Sequence, residues 1–186
     1  MTGFQRRYQE NTTLLHICKY VVDIIMVICV AYVLIHFGCA RTQISGGAME
    51  PALQNEDKVM VNRMAYVLNR PDRYDVIAFK PDGVKSEKVY IKRIIGLPGE
   101  KLQIVDGKVL INGASLENDV VDIDILTPGL AASEITLGKN EYFVLGDNRN
   151  SSEDSRFSTI GIVKKEDIVG KVWIIISPFK RFGIVG

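Results

Sequence analysis

One lysine stands in an apolar stretch of the sequence and could carry acid–base chemistry. Residues 90–95 read Tyr-Ile-Lys-Arg-Ile-Ile, and strand alternation places Lys92 on the same face as Tyr90 and Ile94. Arg93 points to the other face, and both faces are otherwise apolar, so at least one of the two charges is expected to be buried. Burial disfavours an ammonium, and a neutral lysine can act as a general base toward a hydroxyl. The alternative is a lysine whose ammonium reaches past its neighbours into water.

Three further segments of the sequence are distinctive beside the lysine segment. Residues 45–53 read Ser-Gly-Gly-Ala-Met-Glu-Pro-Ala-Leu and follow directly on a long apolar run. Residues 75–79 read Asp-Val-Ile-Ala-Phe, and residues 146–156 read Gly-Asp-Asn-Arg-Asn-Ser-Ser-Glu-Asp-Ser-Arg. Residues 75–79 are a β-branched and aromatic run that predicts a strand. Residues 146–149 form a glycine-rich turn after the predicted strand at 141–145.

In order along the chain, the four segments resemble the motifs of type I signal peptidases, which are membrane-anchored serine proteases with a Ser/Lys dyad. The lysine segment continues to residue 100 as Lys-Arg-x-x-Gly-x-Pro-Gly-Glu, and Glu100 replaces the usual aspartate. Residues 146–156 match the pattern Gly-Asp-Asn-Arg-x-x-Ser-x-Asp-Ser-Arg throughout. Each short motif alone is weak, but four in sequence over residues 45–156 are specific.

The first motif departs from the family at its reactive position. Met49, Pro51 and Leu53 match the pattern small-x-Ser-Met-x-Pro-x-Leu, but Ala48 stands where the family has its nucleophilic serine. Three accounts are open: a deliberate replacement that silences the enzyme, a natural non-catalytic relative that binds precursors or pilin-like partners, and an unfamiliar chemistry. Because the other reactive groups are intact, the first account is favoured.

The resemblance implies a role for each matched residue. Lys92 is expected to be the general base, the backbone N–H of Ala48 an oxyanion donor, and Ser152 the hydroxyl that orients the lysine amine. The residues expected to contact substrate are Met49, Pro51 and Tyr90. The residues expected to hold the structure around the site are Arg93, Asp147, Asn148, Arg149, Asp154 and Arg156, the last two as an ion pair.

The first element that must position these groups is an apolar helix. Residues 17–40 are nearly all apolar. Tyr20 to Ala40 is long enough for one continuous helix across a bilayer, since about 20 residues span roughly 30 Å. A cleaved signal peptide and a buried core helix are the alternatives. The interrupting polar residues and the continuation into the first motif favour a membrane anchor.

Charges on the N-terminal side of the helix predict its orientation. Residues 1–16 form a short head with Arg6 and Arg7, and the positive-inside rule places such residues in the cytoplasm. The domain of residues 41–186 is then extracytoplasmic, and the protein is a single-pass protein of the cytoplasmic membrane. The lipid bilayer is accordingly one expected partner.

From residue 41 onward the pattern predicts an all-β domain. Runs rich in β-branched and aromatic residues predict strands at 58–61, 74–79, 89–95, 141–145 and 169–176. Asp106-Gly107 lies between alternating apolar runs and predicts a hairpin, and Asn112-Gly113 predicts a second turn. Residues 63–68 fit either a strand or a helical turn. The resemblance implies antiparallel sheets with a small β insertion at about residues 101–140.

Charge and cysteine usage narrow the function further. The formal net charge of +1 gives no field to attract nucleic acid. Cys18, Cys29 and Cys39 lie in or beside the apolar run, so the following domain has no disulfide. No Cys/His cluster has the spacing of a metal site, and neither a metal nor an organic cofactor is expected.

The resemblance implies endoproteolytic removal of signal peptides from exported precursors, in the form of the chain that carries the nucleophile. The expected substrates have small residues at the minus-one and minus-three positions, and a dedicated pilin or secretion partner is a further option. The alternative from a neighbouring class is a LexA-like self-cleaving Ser/Lys protease, against which the anchor and the lack of a DNA-binding helix pair count. His16 and His36 lie within or beside the anchor, which excludes the variant of the family with a histidine base.

Overall fold

The computed structural model of the chain describes residues 12–81, 88–116 and 119–185. These residues form two compact units, one that ends at Gly38 and one that begins at Cys39. The basic head assigned to residues 1–16 lies for the most part outside the described residues.

The first unit is a single helix, α1, from Thr12 to Gly38. Its segment Leu15–Tyr32 has a mean hydropathy of 1.9, and the side chains of this segment are all exposed. The 27 residues of α1 extend about 40 Å at about 1.5 Å per residue. By length and composition the helix is therefore able to cross a membrane.

The helix ends two residues earlier than the sequence predicts. Cys39 and Ala40 leave the helical conformation and pair with Asn62 and Val61 in a strand. A glycine at a helix end lowers the cost of this change of conformation. The neighbouring strand then supplies the backbone hydrogen bonds that a longer helix would have supplied.

Strands make up most of the second unit, as the sequence predicts, and the mainly β fold class is confirmed. They are β1 (Cys39–Gln43), β2 (Lys58–Asn62), β3 (Val76–Phe79), β4 (Tyr90–Gly96), β5 (Lys101–Val105), β6 (Lys108–Ile111), β7 (Ala114–Ser115), β8 (Ile135–Thr136), β9 (Glu141–Leu145), β10 (Val163–Lys164), β11 (Ile168–Ser177) and β12 (Gly183–Ile184). One helical turn, α2 (Ala65–Leu68), settles the ambiguity at residues 63–68. A short 3-10 helix spans Phe179–Arg181.

The larger sheet is antiparallel and has the strand order β1-β2-β11-β3-β4-β9-β10, with β12 added beside β11. In this order the late strand β11 lies between two early ones. Val172 of β11 pairs with Val61 of β2, and Lys171 pairs with Ile77 of β3. The pair β1-β2 is thereby joined to the pair β3-β4 through β11.

A smaller sheet, in the order β7-β6-β5-β8, lies within residues 101–140. Its hairpin β5-β6 turns at Asp106 and Gly107, with φ of 49° and 78°. Positive φ at both central positions is the turn that matches strand twist, and Asp-Gly favours it. The predicted hairpin is confirmed.

Alternation along β4 divides its side chains between cores. Tyr90 and Ile94 pack in a cluster with Ile77, whereas Ile91 packs in a different cluster. Lys92 is directly opposite Ile77 in the sheet, and directly opposed residues share a face. The lysine therefore lies on the face of Tyr90 and Ile94, as predicted.

Candidate active site

Position 48 lies in the loop between β1 and β2, and Asn148 holds this loop from the facing turn. The Asn148 backbone N–H donates to the Ala48 carbonyl oxygen at 3.1 Å, and its side-chain amide donates to the Gly47 carbonyl oxygen at 3.2 Å. The Ala48 N–H itself donates to no residue that the structure describes. The loop thus keeps a backbone donor unused at position 48.

The far side of the same loop is fastened by the C-terminal segment. Asp57 is buried and accepts a hydrogen bond from the Gln54 N–H at 2.8 Å. Arg181 donates from Nε to the Asp57 carboxylate at 3.1 Å and from Nη2 to the Ala52 carbonyl oxygen at 3.0 Å. A charged, partly buried pair of this geometry restrains the loop more strongly than a neutral hydrogen bond. No motif in the sequence points to it.

Lys92 is buried in β4, with 4% of its surface exposed. It forms no hydrogen bond or ion pair with the residues that the structure describes. Desolvation lowers the pKa of Lys92 to about 8, against the opposing fields of Asp154 and Glu153. Burial therefore outweighs the nearby carboxylates, and a large fraction of the amine is neutral in weakly alkaline solution.

Ser152 lies in the turn of residues 146–156, and its buried hydroxyl has no hydrogen-bond partner. A side chain at Gly146 would overlap both the Ser152 hydroxyl and the Ala48 carbonyl oxygen, so glycine is what allows the turn to approach the loop. The expected hydrogen bond between Ser152 and Lys92 is not formed. Ser152 therefore lies close to the Ala48 backbone, and Ala48 and Lys92 line the same cleft.

Buried ion pairs lie in β4 and in the turn, the two elements that carry Lys92 and Ser152. Arg93 donates from Nε and Nη2 to the two carboxylate oxygens of Asp147 at 2.8 and 2.7 Å, and both side chains are 1% exposed. Asp154 and Arg156 form a second buried pair at 2.8 Å. Arg149 is buried as well and forms a two-point pair with Asp119 at 2.7 and 2.6 Å. The Arg93–Asp147 pair thus joins β4 to the turn of residues 146–156, and the Asp154–Arg156 pair lies within that turn.

A cleft of about 410 Å³ opens above Lys92. Residues 42–46, Ala48 and Met49 line one side, and residues 88–92 and Glu153 line the other. Both sides contain unpaired strand edges within the described residues. β1 pairs only with β2, and β9 pairs with β4 only from Arg93 onward. An extended peptide could therefore add to either edge through backbone hydrogen bonds.

The residues predicted to contact substrate do not all reach this cleft. Met49 and Tyr90 line it, whereas Pro51 is exposed and is not among its lining residues. Glu153 and Lys88 line the cleft although no sequence pattern pointed to them. In the sequence, a charged side chain outside a motif looks like an ordinary surface residue. Only the fold shows that these two side chains lie in the cleft. Among the described residues no group of histidine, cysteine, aspartate and glutamate could hold a metal ion.

Comparison with known proteins finds one family. The family model described as signal peptidase, peptidase S26, matches residues 17–177. A probable signal peptidase I-2 of Synechocystis sp. is 33% identical over 146 residues, which cover 76% of this chain and 65% of that protein. A signal peptidase I of Leptolyngbya laminosa is 36% identical over 145 residues, with coverage of 75% and 69%. Signal peptidase I S of Bacillus subtilis is 30% identical over 175 residues, with coverage of 89% and 91%.

Proposed function

The chain belongs to the peptidase S26 family of signal peptidases, and from this premise we propose that with serine at position 48 it is a serine endopeptidase that removes signal peptides from exported precursors. The chain as it stands has Ala48 and lacks the nucleophile, so it binds precursors without cleaving them. The observation that carries the proposal is the placement of position 48 and an unpartnered, buried Lys92 on one cleft between unpaired strand edges.

The proposed chemistry follows from these groups. A serine hydroxyl at position 48 attacks the scissile carbonyl, and neutral Lys92 accepts its proton. The unused N–H of residue 48 donates to the developing oxyanion, and the unpaired hydroxyl of Ser152 is available to orient the lysine amine during the reaction. The peptide C–N bond then breaks, the leaving amine takes the proton from Lys92, and an acyl-enzyme remains. Water, deprotonated by Lys92, attacks the same carbonyl, the ester bond to residue 48 breaks, and the serine oxygen regains its proton. No metal or organic cofactor takes part.

The shape of the cleft supports an extended substrate. Two strand edges are available to the peptide backbone, while Met49, Tyr90 and Ile91 offer an apolar lining. We expect small residues at the minus-one and minus-three positions of the precursor, in line with the resemblance. The proposed setting is the outer face of the cytoplasmic membrane, with α1 as a single-pass anchor and Arg6 and Arg7 on the cytoplasmic side.

The direct test restores the missing oxygen. Ala48→Ser is expected to cleave a precursor peptide with alanine at minus one and minus three, and Ala48→Ser/Lys92→Met is expected to be inactive. The rate of cleavage should rise with pH and reach half of its maximum at about pH 8, because Lys92 must be neutral to accept a proton.

A matched control for this test is Ala48→Ser/Lys139→Met, which removes an exposed lysine outside the cleft. It should retain the activity of Ala48→Ser. A folded Ala48→Ser chain without activity, or equal activity of the Lys92→Met double variant, would show that the Ser/Lys assignment is wrong.

Ala48 also favours a second candidate function, that of a natural non-catalytic protein that binds precursors or pilins during assembly of surface structures. The two candidates predict different results in a cell. A silenced enzyme cannot complement a strain that lacks signal peptidase, and only its Ala48→Ser form should do so. A binding protein should support its own process with Ala48 in place, and Ala48→Ser should bring no gain there.

A further inference from the structure

The amine of Lys92 differs from every other lysine that the structure describes. Lys92 is the one buried lysine among the described residues. Others, such as Lys101, Lys108 and Lys171, are more exposed and form ion pairs. Lys92 has no hydrogen-bond or ion-pair partner among the described residues, yet it lines an open cleft. A buried amine with access to a ligand and no partner combines the features that make a lysine reactive.

The residue at position 48 determines whether the Lys92 amine has a hydroxyl to deprotonate. A serine there would provide a hydroxyl for the amine to deprotonate, and Lys92 would act as a base. Ala48 provides only a methyl group. The lone pair of Lys92 is then left without an oxygen partner from residue 48, and the nearest electrophile bound in the cleft becomes its target.

We propose that in the Ala48 chain Lys92 is itself a nucleophile, and that it captures an aldehyde bound in the cleft as an imine. The cleft selects the kind of aldehyde. Its unpaired strand edges suit an extended backbone, and Ile44, Met49 and Ile91 suit small apolar side chains. The ligand class is therefore a short apolar peptide whose terminal carboxyl group is replaced by an aldehyde. This activity needs no nucleophile at position 48 and is independent of peptidase activity.

The step balances without an oxidant or a reductant. The Lys92 nitrogen forms a bond to the carbonyl carbon, and the π electrons of the carbonyl move to oxygen. Nitrogen loses one proton and oxygen gains one, which gives a carbinolamine. The carbon–oxygen bond then breaks, the hydroxyl leaves as water with a further proton from nitrogen, and a carbon–nitrogen double bond remains. The Ala48 N–H is an unused donor for the carbonyl oxygen during the attack.

The charges that face Lys92 determine how capture depends on pH. Burial favours the neutral amine, Asp154 and Glu153 favour the ammonium, and Arg156 and Lys88 oppose the ammonium. The sum lowers the pKa to about 8. At about pH 8 the neutral fraction of Lys92 is therefore on the order of a hundred times that of an ordinary lysine. Removing the charge of Glu153, which lines the cleft and is exposed, should raise this fraction at neutral pH.

The experiment uses the full chain in detergent, with an acetylated peptide that ends in alaninal and with cyanoborohydride to reduce any imine to a stable secondary amine. Peptide mapping by mass spectrometry then measures the label on each lysine. At about pH 8 we expect Lys92 to be labelled about tenfold faster than exposed Lys88, because burial partly offsets its larger neutral fraction. The Lys92 label should increase through about pH 8, and Glu153→Gln should increase it at about pH 7.

Variants at positions 92 and 48 test whether the label is carried by Lys92. Lys92→Arg should lose the fast label, and Lys139→Arg, at an exposed lysine outside the cleft, should retain it. Ala48→Ser should reduce the label, since its hydroxyl takes up the aldehyde as a hemiacetal, which cyanoborohydride does not trap as an amine. If Lys92→Arg fails to fold, protection of Lys92 in the parent chain by the matching peptide alcohol provides the same information. Label spread over exposed lysines in proportion to exposure, or an unlabelled Lys92, would overturn the proposal, whatever the peptidase activity of Ala48→Ser.

Discussion

Replacing Lys92 with methionine removes a buried ammonium from the core of the domain while it keeps the length of the side chain. Lys92 is 4% exposed and has no partner among the described residues. Its pKa falls from 10.5 to about 8 on folding, because burial disfavours the charged form. One pH unit corresponds to about 1.4 kcal/mol, so the folded chain carries a penalty of about 3 kcal/mol when Lys92 is protonated.

The sign of the pH dependence follows from proton binding. Below about pH 8 the lysine is protonated in both states, and the folded chain bears the full penalty. Between about pH 8 and 10.5 the unfolded chain binds a proton that the folded chain has released, so the free energy of unfolding rises with pH. The Lys92→Met variant lacks this rise. Its advantage over the parent chain is therefore largest at neutral pH and disappears as the pH approaches about 10.5.

Urea unfolding of the two detergent-solubilised chains, followed by the fluorescence of the single tryptophan, Trp173, measures this difference. Between about pH 8 and 9.5 the gap between the two free energies of unfolding should narrow by about 2 kcal/mol. Lys139→Met removes an exposed lysine outside the cleft and should show no such change. A gap for Lys92→Met that stays constant over this range would refute the idea that burial controls this amine.

Three further substitutions test the residues that hold the loop of Ala48, the turn of residues 146–156 and β4 together. Asp147→Asn leaves buried Arg93 without its full counter-charge and should lower the free energy of unfolding by about 3–5 kcal/mol, and Arg93→Met/Asp147→Leu should recover most of this loss in urea unfolding. Gly146→Ala forces a methyl group against Ser152 and should cost about 1–3 kcal/mol by the same measurement, whereas a neutral result would mean that the turn can move away. Arg181→Gln should cost about 1–3 kcal/mol and lower the peptidase activity of an Ala48→Ser chain, and unchanged activity would show that the C-terminal segment does not position the loop.

Local patterns were sufficient to predict the elements that depend on local physics. The Asp106-Gly107 hairpin follows from residues that tolerate positive φ, and the strand at residues 90–96 follows from its β-branched content. The burial of Lys92 and Arg93 follows from alternation within an apolar run. These features need only the residues near them in the chain, so a sequence pattern carries them.

Features that depend on distant partners could not be predicted in this way. Strand β1 reads Cys-Ala-Arg-Thr-Gln, has little strand propensity, and forms because β2 lies beside it. The short strands β10 and β12 likewise depend on β9 and β11. The pair Arg181–Asp57 joins residues 124 positions apart in the chain, and neither lies in a motif. The resemblance proposed the reactive positions, but the positions of Glu153 in the cleft and Pro51 outside it required the fold.

The central place of β11 determines when a newly made chain can acquire the cleft above Lys92. The ribbon β1-β2 carries the loop of Ala48, the ribbon β3-β4 carries Lys92, and both are synthesised well before residues 168–177. The strand that pairs with both ribbons comes late, and so does Arg181, which fastens the loop. Contacts between residues so far apart in sequence form slowly, since the long intervening loop must first be closed. During synthesis or export that begins at the N-terminus, the two halves of the cleft therefore remain separate until nearly the whole domain has emerged. A chain stopped before residue 168 would keep both ribbons and have no cleft.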